Sequence, residues 1–309
     1  MNTVSLHNLA RKLPVVRSAT FTSPPYHVGS VLENRLGLQV CRVISKQIVK
    51  YFRPKFLTEE IKQFVEVLER DGVLVMENFL DSEQFDKVRA EFEKANEGIS
   101  LTAYKNAENA KLYRTQLQVS NSPELFPSIR NNFQENPFLE QIASEVISRR
   151  ITNKPNILLD TYQNLNDNGI DNDIENILHA DLHTPTVKMF FYLNKVDETN
   201  GAFIYAKGSH KLTAARLLHE YELSIREAKL NQGLPIPESQ QAKRGNQIRN
   251  IISPKNWRRM NVQETQICVE PNTLVITNNM GFHRRGEFTG SEPRKALLIN
   301  YRNAEKSFW

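Results

Sequence analysis

A chain of 309 residues is long enough for one large domain or two small ones, and 39% hydrophobic with 24% charged residues is the balance of a globular protein in water. No run reaches the roughly eighteen apolar residues that would span a bilayer, and the opening residues do not read as a signal peptide. The formal charge of +5 is concentrated in residues 1–57, which hold nine Lys or Arg and one acid, while the remainder is net −3, so the body offers no basic surface of the kind nucleic acid needs.

The two cysteines, Cys41 and Cys268, stand far apart in no metal-type spacing. That argues against a disulfide framework and fits a reducing cytoplasm. The basic segment has two readings. It could dock on an anionic surface, such as membrane headgroups or an acidic partner, which would make the protein peripherally membrane-associated. Or it is a solvated extension that packs on the body through its apolar residues, the favoured reading because charge runs usually solvate.

Residues 1–31 are rich in Ser, Thr, Pro and His and read as an irregular lead-in. From Leu32 to Phe52, Leu36, Val40, Val43, Ile44 and Ile48 fall on one helical face, and Pro54 ends the pattern. Thr58 caps a second helix carrying Ile61, Phe64, Val65 and Leu68, which Asp71-Gly72 stops. Residues 73–76 form a short buried strand, and Asp81 with Gln84 suggests a capping box for a helix bearing Phe85, Val88 and Phe92. Residues 138–150 have helical periodicity and 156–166 read as a strand. The acid-rich 167–176 segment lacks the closing Glu of a calcium loop and reads as a solvated turn. Strands follow over 186–196, after the Asn200-Gly201 turn, over 266–279 and over 295–303. Between them lies a polar, helically patterned insertion, 211–262, interrupted by Pro235 and Pro237. The pattern predicts an α+β protein: a β-sandwich or jelly roll with flanking N-terminal helices and a helical insertion. The expected organisation is a basic arm over 1–57 and a single domain over 58–309, with 211–262 as a lid.

The segment "ILHADLHTP" places His179, Asp181 and His183 at alternate positions, so on a strand all three point the same way. A histidine and a carboxylate two apart can chelate one cation, and a third ligand must come from elsewhere. His283, in "NNMGFHRRGEF" beyond the strand ending near Thr277, sits where a rolled sheet could bring it opposite. Two imidazoles and one carboxylate on one side of a metal leave the other side open, the arrangement suited to ferrous iron that must hold a co-substrate and oxygen together. Arg294, eleven residues on, offers the fork that grips a carboxylate.

The stretches "HAD" (179–181), "FFYLNKVDETNGAFIYAKGSHK" (190–211) and "PNTLVITNNMGFHRRG" (271–286), with Arg294, resemble the phytanoyl-CoA dioxygenase family of iron- and 2-oxoglutarate-dependent oxygenases, over about residues 72–302. The resemblance implies a double-stranded β-helix with Fe(II) on His179, Asp181 and His283, 2-oxoglutarate held by Arg294, and oxygen as second co-substrate. It suggests Gln163 as a polar co-substrate contact, with Lys188 as another candidate, otherwise a lysine at the sheet surface. The family often carries a short hydroxyl residue two positions after the distal histidine; here that position is Arg285, which could touch co-substrate or substrate. His183 is expected to face substrate or to make an ordinary polar contact. Trp257 in the insertion either lines a lid or packs on a helix. Iron halogenases of this fold carry a small residue where Asp181 stands, so the carboxylate points to hydroxylation or a related oxidation. The expected partner is a small molecule, tilted toward an anionic one by the basic arm. The competing readings are a non-catalytic binding or regulatory protein on the same scaffold and a zinc hydrolase using the same ligands.

Overall fold

The computed structural model describes residues 29–51, 58–97, 102–103, 112–119, 123–148, 151, 153–164, 174–181, 185–236 and 250–301. His183 and most of the acid-rich loop lie outside these residues, as does the irregular lead-in.

The helical pattern expected over 32–52 is split in two. A short helix α1 (Val31–Arg35), capped reciprocally by Ser30 and Glu33, stops at Gly37, whose φ of +92° suits glycine. Helix α2 (Leu38–Tyr51) keeps the middle of the expected apolar face, with Val43 buried and Val40 and Ile44 half-buried, but not its ends. Leu36 and Ile48 are 78% and 52% exposed, whereas Gln39 and Val43 are buried. The reason is a polar contact: the Gln39 amide reaches the buried Glu220 carboxylate at 3.3 Å. Helix α3 (Glu59–Asp71) starts after Thr58, although that side chain makes no cap bond, and ends at Gly72 in the left-handed conformation. Strand β1 (Val73–Met76) follows, then α4 (Ser82–Asn96), whose Asp81 cap accepts from the Gln84 backbone.

Beyond these come the short β2 (Thr102–Ala103) and β3 (Leu112–Gln118), which the sequence pattern did not mark. A helical turn α5 (Pro127–Ile129) and helix α6 (Pro137–Ile147) lead to β4 (Asn156–Asn164), β5 (His179–Ala180), β6 (Val187–Tyr192) and β7 (Phe203–Ala206). The insertion supplies α7 (Ala214–Asn231), β8 (Asn250–Ile251) and α8 (Pro254–Met260). Strands β9 (Glu264–Ile267), β10 (Thr273–Asn278), β11 (His283–Arg285) and β12 (Arg294–Tyr301) complete the fold. What reads as one strand over 266–279 is thus two, separated by a turn in which Asn272 adopts a positive φ.

The strands form two antiparallel sheets, a larger one in the order β1-β10-β6-β12-β4-β3-β2 and a smaller one in the order β8-β5-β11-β7-β9. Alternation along the large sheet sorts its residues into two cores. Leu74, Met189, Phe191, Leu274, Ile276, Leu297 and Ile299 face outward and pack under α3 to α6 with Leu68, Phe92, Phe133 and Ile142. Tyr192, Phe190, Val275 and Ala296 face inward and meet Phe203, Tyr205, Ile267 and Val269 of the small sheet and its edges. The two facing sheets are the expected jelly roll, and the site lies on their inner faces.

The insertion helices do not stand over that interior. Helix α7 lies on the outer side of the small sheet, where the Arg216 guanidinium sits 4.5 Å from the Phe282 ring centre. Helix α8 packs there too, with Trp257 and Met260 against the cluster formed by Ala180, Ala206, Ile252 and Phe282. Among the described residues of the segment, α7 and α8 are thus an outer layer; residues 237–249, also part of the expected lid, lie outside the described residues.

Candidate active site

Strands β5 and β11 pair with His179 directly opposite His283. The side chains of such a pair rise from the same face, and here the ring centres are 4.8 Å apart. Asp181, two residues after His179, turns the same way. One of its oxygens lies 3.6 Å from His179 Nε2 and 3.7 Å from His283 Nε2. The donor atoms of all three residues lie within 4.8 Å of one another.

The tautomers follow from the backbone. His179 Nδ1 lies 2.7 Å from the Ile177 carbonyl oxygen and His283 Nδ1 lies 3.0 Å from that of Gly281. A carbonyl only accepts, so each Nδ1 carries the proton and donates, leaving the Nε2 lone pairs turned toward Asp181. Burial lowers the His283 pKa, against the opposing pull of Asp181, and keeps that ring neutral. Burial alone would raise the Asp181 carboxyl, but its surroundings, the Lys188 ammonium foremost, outweigh that and hold the group well below the usual carboxylate range. Two imidazoles and one carboxylate converging from one side fit a divalent metal with open positions.

Gly281 makes this corner buildable. A Cβ there would sit 1.9 Å from the Tyr205 hydroxyl oxygen, which itself donates to the Asn278 carbonyl at 2.8 Å. Glycine lets the turn before His283 press against that ring.

Lys188 is not at the sheet surface. It shares the inner face with Phe190 and Tyr192, and its Nζ lies 2.5 Å from the second Asp181 oxygen. Glu175, in the short turn before β5, places a carboxylate oxygen 3.8 Å from His179 Nε2. Sequence reasoning passed over it, since it belongs to the acid-rich segment read as solvated and no periodicity links it to the strand.

Arg294 opens β12 opposite Tyr162 of β4 and is buried. Its guanidinium stacks 4.7 Å from the Tyr162 ring centre and 5.7 Å from that of Phe288, and it donates to the Gly201 carbonyl. Gly201, at φ +79°, is the turn predicted after Asn200, and a Cβ on it would meet the Phe288 ring at 2.1 Å. Arg285, also buried, stacks on the same two rings, 5.2 Å from Tyr162 and 5.5 Å from Phe288.

Two sequence candidates fall elsewhere. Gln163 follows Tyr162 on β4, so the pleat turns it to the face opposite Arg294, the side on which Ile157 and Leu159 join the outer core. Trp257 lies behind the small sheet, away from the three ligand candidates, because Ala180 and Phe282 point opposite to the residues beside them. The aromatic residues Tyr162, Tyr192 and Phe288 were not singled out in the sequence; the register of β4 against β12 is what reveals the first of them.

A family model described as Phytanoyl-CoA dioxygenase (PhyH) matches residues 68–296, more than half of the chain. No curated protein matches it. Among solved structures, the fold is similar to that of the epimerase SnoN in complex with Fe3+, alpha ketoglutarate and nogalamycin RO, with 12% identity, a TM-score of 0.51, and coverage of 79% of this chain and 84% of that one. It is also similar to HygX from Streptomyces hygroscopicus with nickel and 2-oxoglutarate bound, with 16% identity, a TM-score of 0.47, and coverage of 82% and 90%. At these identities the likeness concerns the fold, which is the jelly roll described above. The family match, over most of the chain, is what makes this chain an enzyme of the phytanoyl-CoA dioxygenase family of iron- and 2-oxoglutarate-dependent oxygenases.

Proposed function

We propose that the protein hydroxylates an aliphatic carbon of a small-molecule substrate, with Fe(II) on His179, Asp181 and His283 and 2-oxoglutarate anchored by Arg294. The observation that carries this reading is the convergence of the two Nε2 lone pairs and one carboxylate oxygen within 4.8 Å on the inner face of the small sheet. Iron, 2-oxoglutarate and oxygen, when bound, supply a two-electron oxidation of a C–H bond with release of succinate and CO2. The chain's own residues do the rest. The Ile177 and Gly281 carbonyls fix both imidazoles in the ligating tautomer, and the Lys188 ammonium keeps Asp181 ionised. Arg294 presents a planar fork on the inner face of the large sheet, where it can orient a dicarboxylic keto acid. The apolar inner walls, Phe190 and Phe203 among them, keep bulk water from the reacting carbon.

A hydrolase on the same three ligands would have no use for Arg294, and a scaffold that has lost turnover would be expected to lack a ligand or that arginine. The carboxylate of Asp181 at the position a halide would need favours hydroxylation. Both described cysteines are free thiols, in keeping with a reducing compartment. Among the described residues no helix is long and apolar enough to cross a membrane.

The test is anaerobic addition of Fe(II) and 2-oxoglutarate. A weak visible charge-transfer band is expected, absent in Asp181→Ala and lost in Arg294→Ala at modest co-substrate levels. Full co-substrate affinity in Arg294→Ala would count against the assignment. Succinate release across a metabolite panel then identifies the substrate.

A further inference from the structure

We propose that the substrate is a neutral, polyhydroxylated molecule and that Asn300 binds one of its hydroxyls, on the end of the large sheet that lies beside Asp181. This rests on the reading that the metal corner does oxygenase chemistry, and it adds the class of substrate and the wall that receives it.

Three observations carry it. First, the strand register sets two unlike rows side by side. Lys188, Asn300 and Asn156 lie directly across from one another on β6, β12 and β4, and Phe190, Leu298 and Leu158 form the next row. Both rows are on the inner face, since Lys188 reaches Asp181 from it while Leu297 and Ile299 join the outer core. Second, the neighbours of Asn300 are already engaged and Asn300 is not. Lys188 bonds Asp181, and the Asn156 side-chain oxygen accepts from the Gln118 amide at 3.0 Å. Thr277, across from Lys188 on its other side, donates to the Lys188 carbonyl at 2.9 Å. Asn300 is 8% exposed, yet among the described residues its carboxamide makes no hydrogen bond. Its oxygen and nitrogen are not sealed from solvent either, so they face open space and not a packed wall. Third, burial deepens along the row: Gln118 and Asn156 are exposed, whereas Asn300 is buried and Lys188 nearly so. The row thus leads from solvent to the carboxylate of the metal corner, and Asn300 stands one strand spacing, ~4.8 Å, from Lys188.

These features select a chemistry. An ionised substrate group needs a counter-charge, and the charge in this row, Lys188, is committed to Asp181. An acyl chain would cover Asn300 without answering its amide, which is costly. A hydroxyl donates to the amide oxygen and accepts from the amide nitrogen. The C–H groups of the same molecule can then lie on Phe190, Leu298 and Leu158.

The experiment titrates the protein, loaded anaerobically with Fe(II) and 2-oxoglutarate, with two neutral polyols, myo-inositol and methyl α-D-glucopyranoside. Glucuronate, glucosamine and palmitoyl-coenzyme A serve as the anionic, cationic and acyl counterparts. A neutral polyol should shift the visible charge-transfer band and, once air is admitted, raise succinate release. Asn300→Leu should raise the KM for that polyol about tenfold and leave 2-oxoglutarate affinity unchanged. Asn300→Ser, which keeps a hydrogen-bonding group, should lose less. Without substrate, Asn300→Leu should melt at the wild-type temperature or above it, because the swap removes a buried amide that has no partner. A lowered melting temperature would make Asn300 a structural residue and overturn the assignment, as would an unchanged KM. A response to glucuronate, glucosamine or palmitoyl-coenzyme A alone, or to none of the probes, would overturn the substrate class while the band keeps the oxygenase reading standing. Failure of the band to form at all would sink that underlying reading and this inference with it.

Discussion

Gly281 shows how narrowly one position can be specified. A methyl group there would lie 1.9 Å from the Tyr205 hydroxyl oxygen and 2.3 Å from the carbon that bears it, and both belong to a fully buried ring. The ring cannot yield without breaking its bond to the Asn278 carbonyl. The backbone cannot yield without moving the Gly281 carbonyl that holds His283 in its ligating tautomer. Gly281→Ala should therefore cost about 1–3 kcal/mol, the usual range for forced overpacking, and weaken metal binding as well. Urea unfolding and a Mn(II) titration check the two effects, and an unchanged metal affinity would show that the turn can relax without disturbing His283. A second single-residue prediction concerns pH. Glu227 on α7 is buried; burial raises its pKa, and the neighbouring Arg226, which bonds only one of its oxygens, does not fully compensate. The folded state thus holds this proton more tightly than the unfolded state does. Its contribution to stability is largest at low pH and falls as pH rises from 4.5 through the raised folded value. Glu227→Gln carries no such proton, so its stability relative to wild type should improve steadily across that window. A gap between the two that does not change with pH would contradict the sign.

At the scale of elements, the join between the N-terminal helices and the body is polar where the sequence suggested it would be apolar. Periodicity located α2 and, in Val43, the centre of its buried side, but not Gln39 beside it, because hydrophobic pattern alone cannot see that Gln39 has an acceptor 181 residues away. That acceptor, Glu220, is the fully buried partner of Arg216, which is 1% exposed. Arg216 makes two bonds to Glu220 at 3.1 and 3.0 Å, and donates to the Ser209 and Met280 carbonyls at 2.9 and 2.7 Å. The Ser209 hydroxyl in turn accepts the Phe282 amide at 2.8 Å, so α7 pins the turn that leads into His283. Removing one partner of a buried ion pair strands the other, and Arg216→Met should cost about 3–5 kcal/mol. Replacing both, as Arg216→Met with Glu220→Leu, should cost clearly less than the sum of the singles, which a double-mutant cycle measures. Additive costs would mean that Arg216 acts through the two carbonyls and not through Glu220. Gln39→Ala, which deletes a long hydrogen bond to that carboxylate and the bond that Gln39 accepts from Arg42, should cost about 1.5–3 kcal/mol.

Across the whole molecule, the iron-site candidates were the legible part because their logic is local. Alternation sets His179 and Asp181 on one face, and only His283 had to be found at a distance. The aromatic box was not legible, since Tyr162, Phe288 and the two arginines meet only when the sheets roll up, and nothing in the sequence gives the register of β4 on β12. Gln163 and Trp257 went astray for the same reason: each lies close in sequence to a face that matters, on the wrong side of it. A two-sheet β core was readable from short strands and turns, and the family resemblance made it a jelly roll, whereas β2, β3 and β8 were too short or too polar to mark themselves. This division predicts how the molecule responds to losing a layer. The candidate ligands and both arginines stand on the two sheets, while α1 and α2 touch the body through α7 on the outer side. Deleting residues 1–51 removes Gln39 from Glu220 and should lower thermal stability. Because contacts beyond direct reach couple weakly, 2-oxoglutarate affinity should stay within about twofold of the full-length value. Thermal unfolding and the anaerobic charge-transfer titration, run on the same preparation, separate the two quantities. A truncated protein that remains folded but loses the band would show that the outer helices hold the metal corner in place through the Glu220–Arg216 link to Met280, and that the site extends past the sheets that carry it.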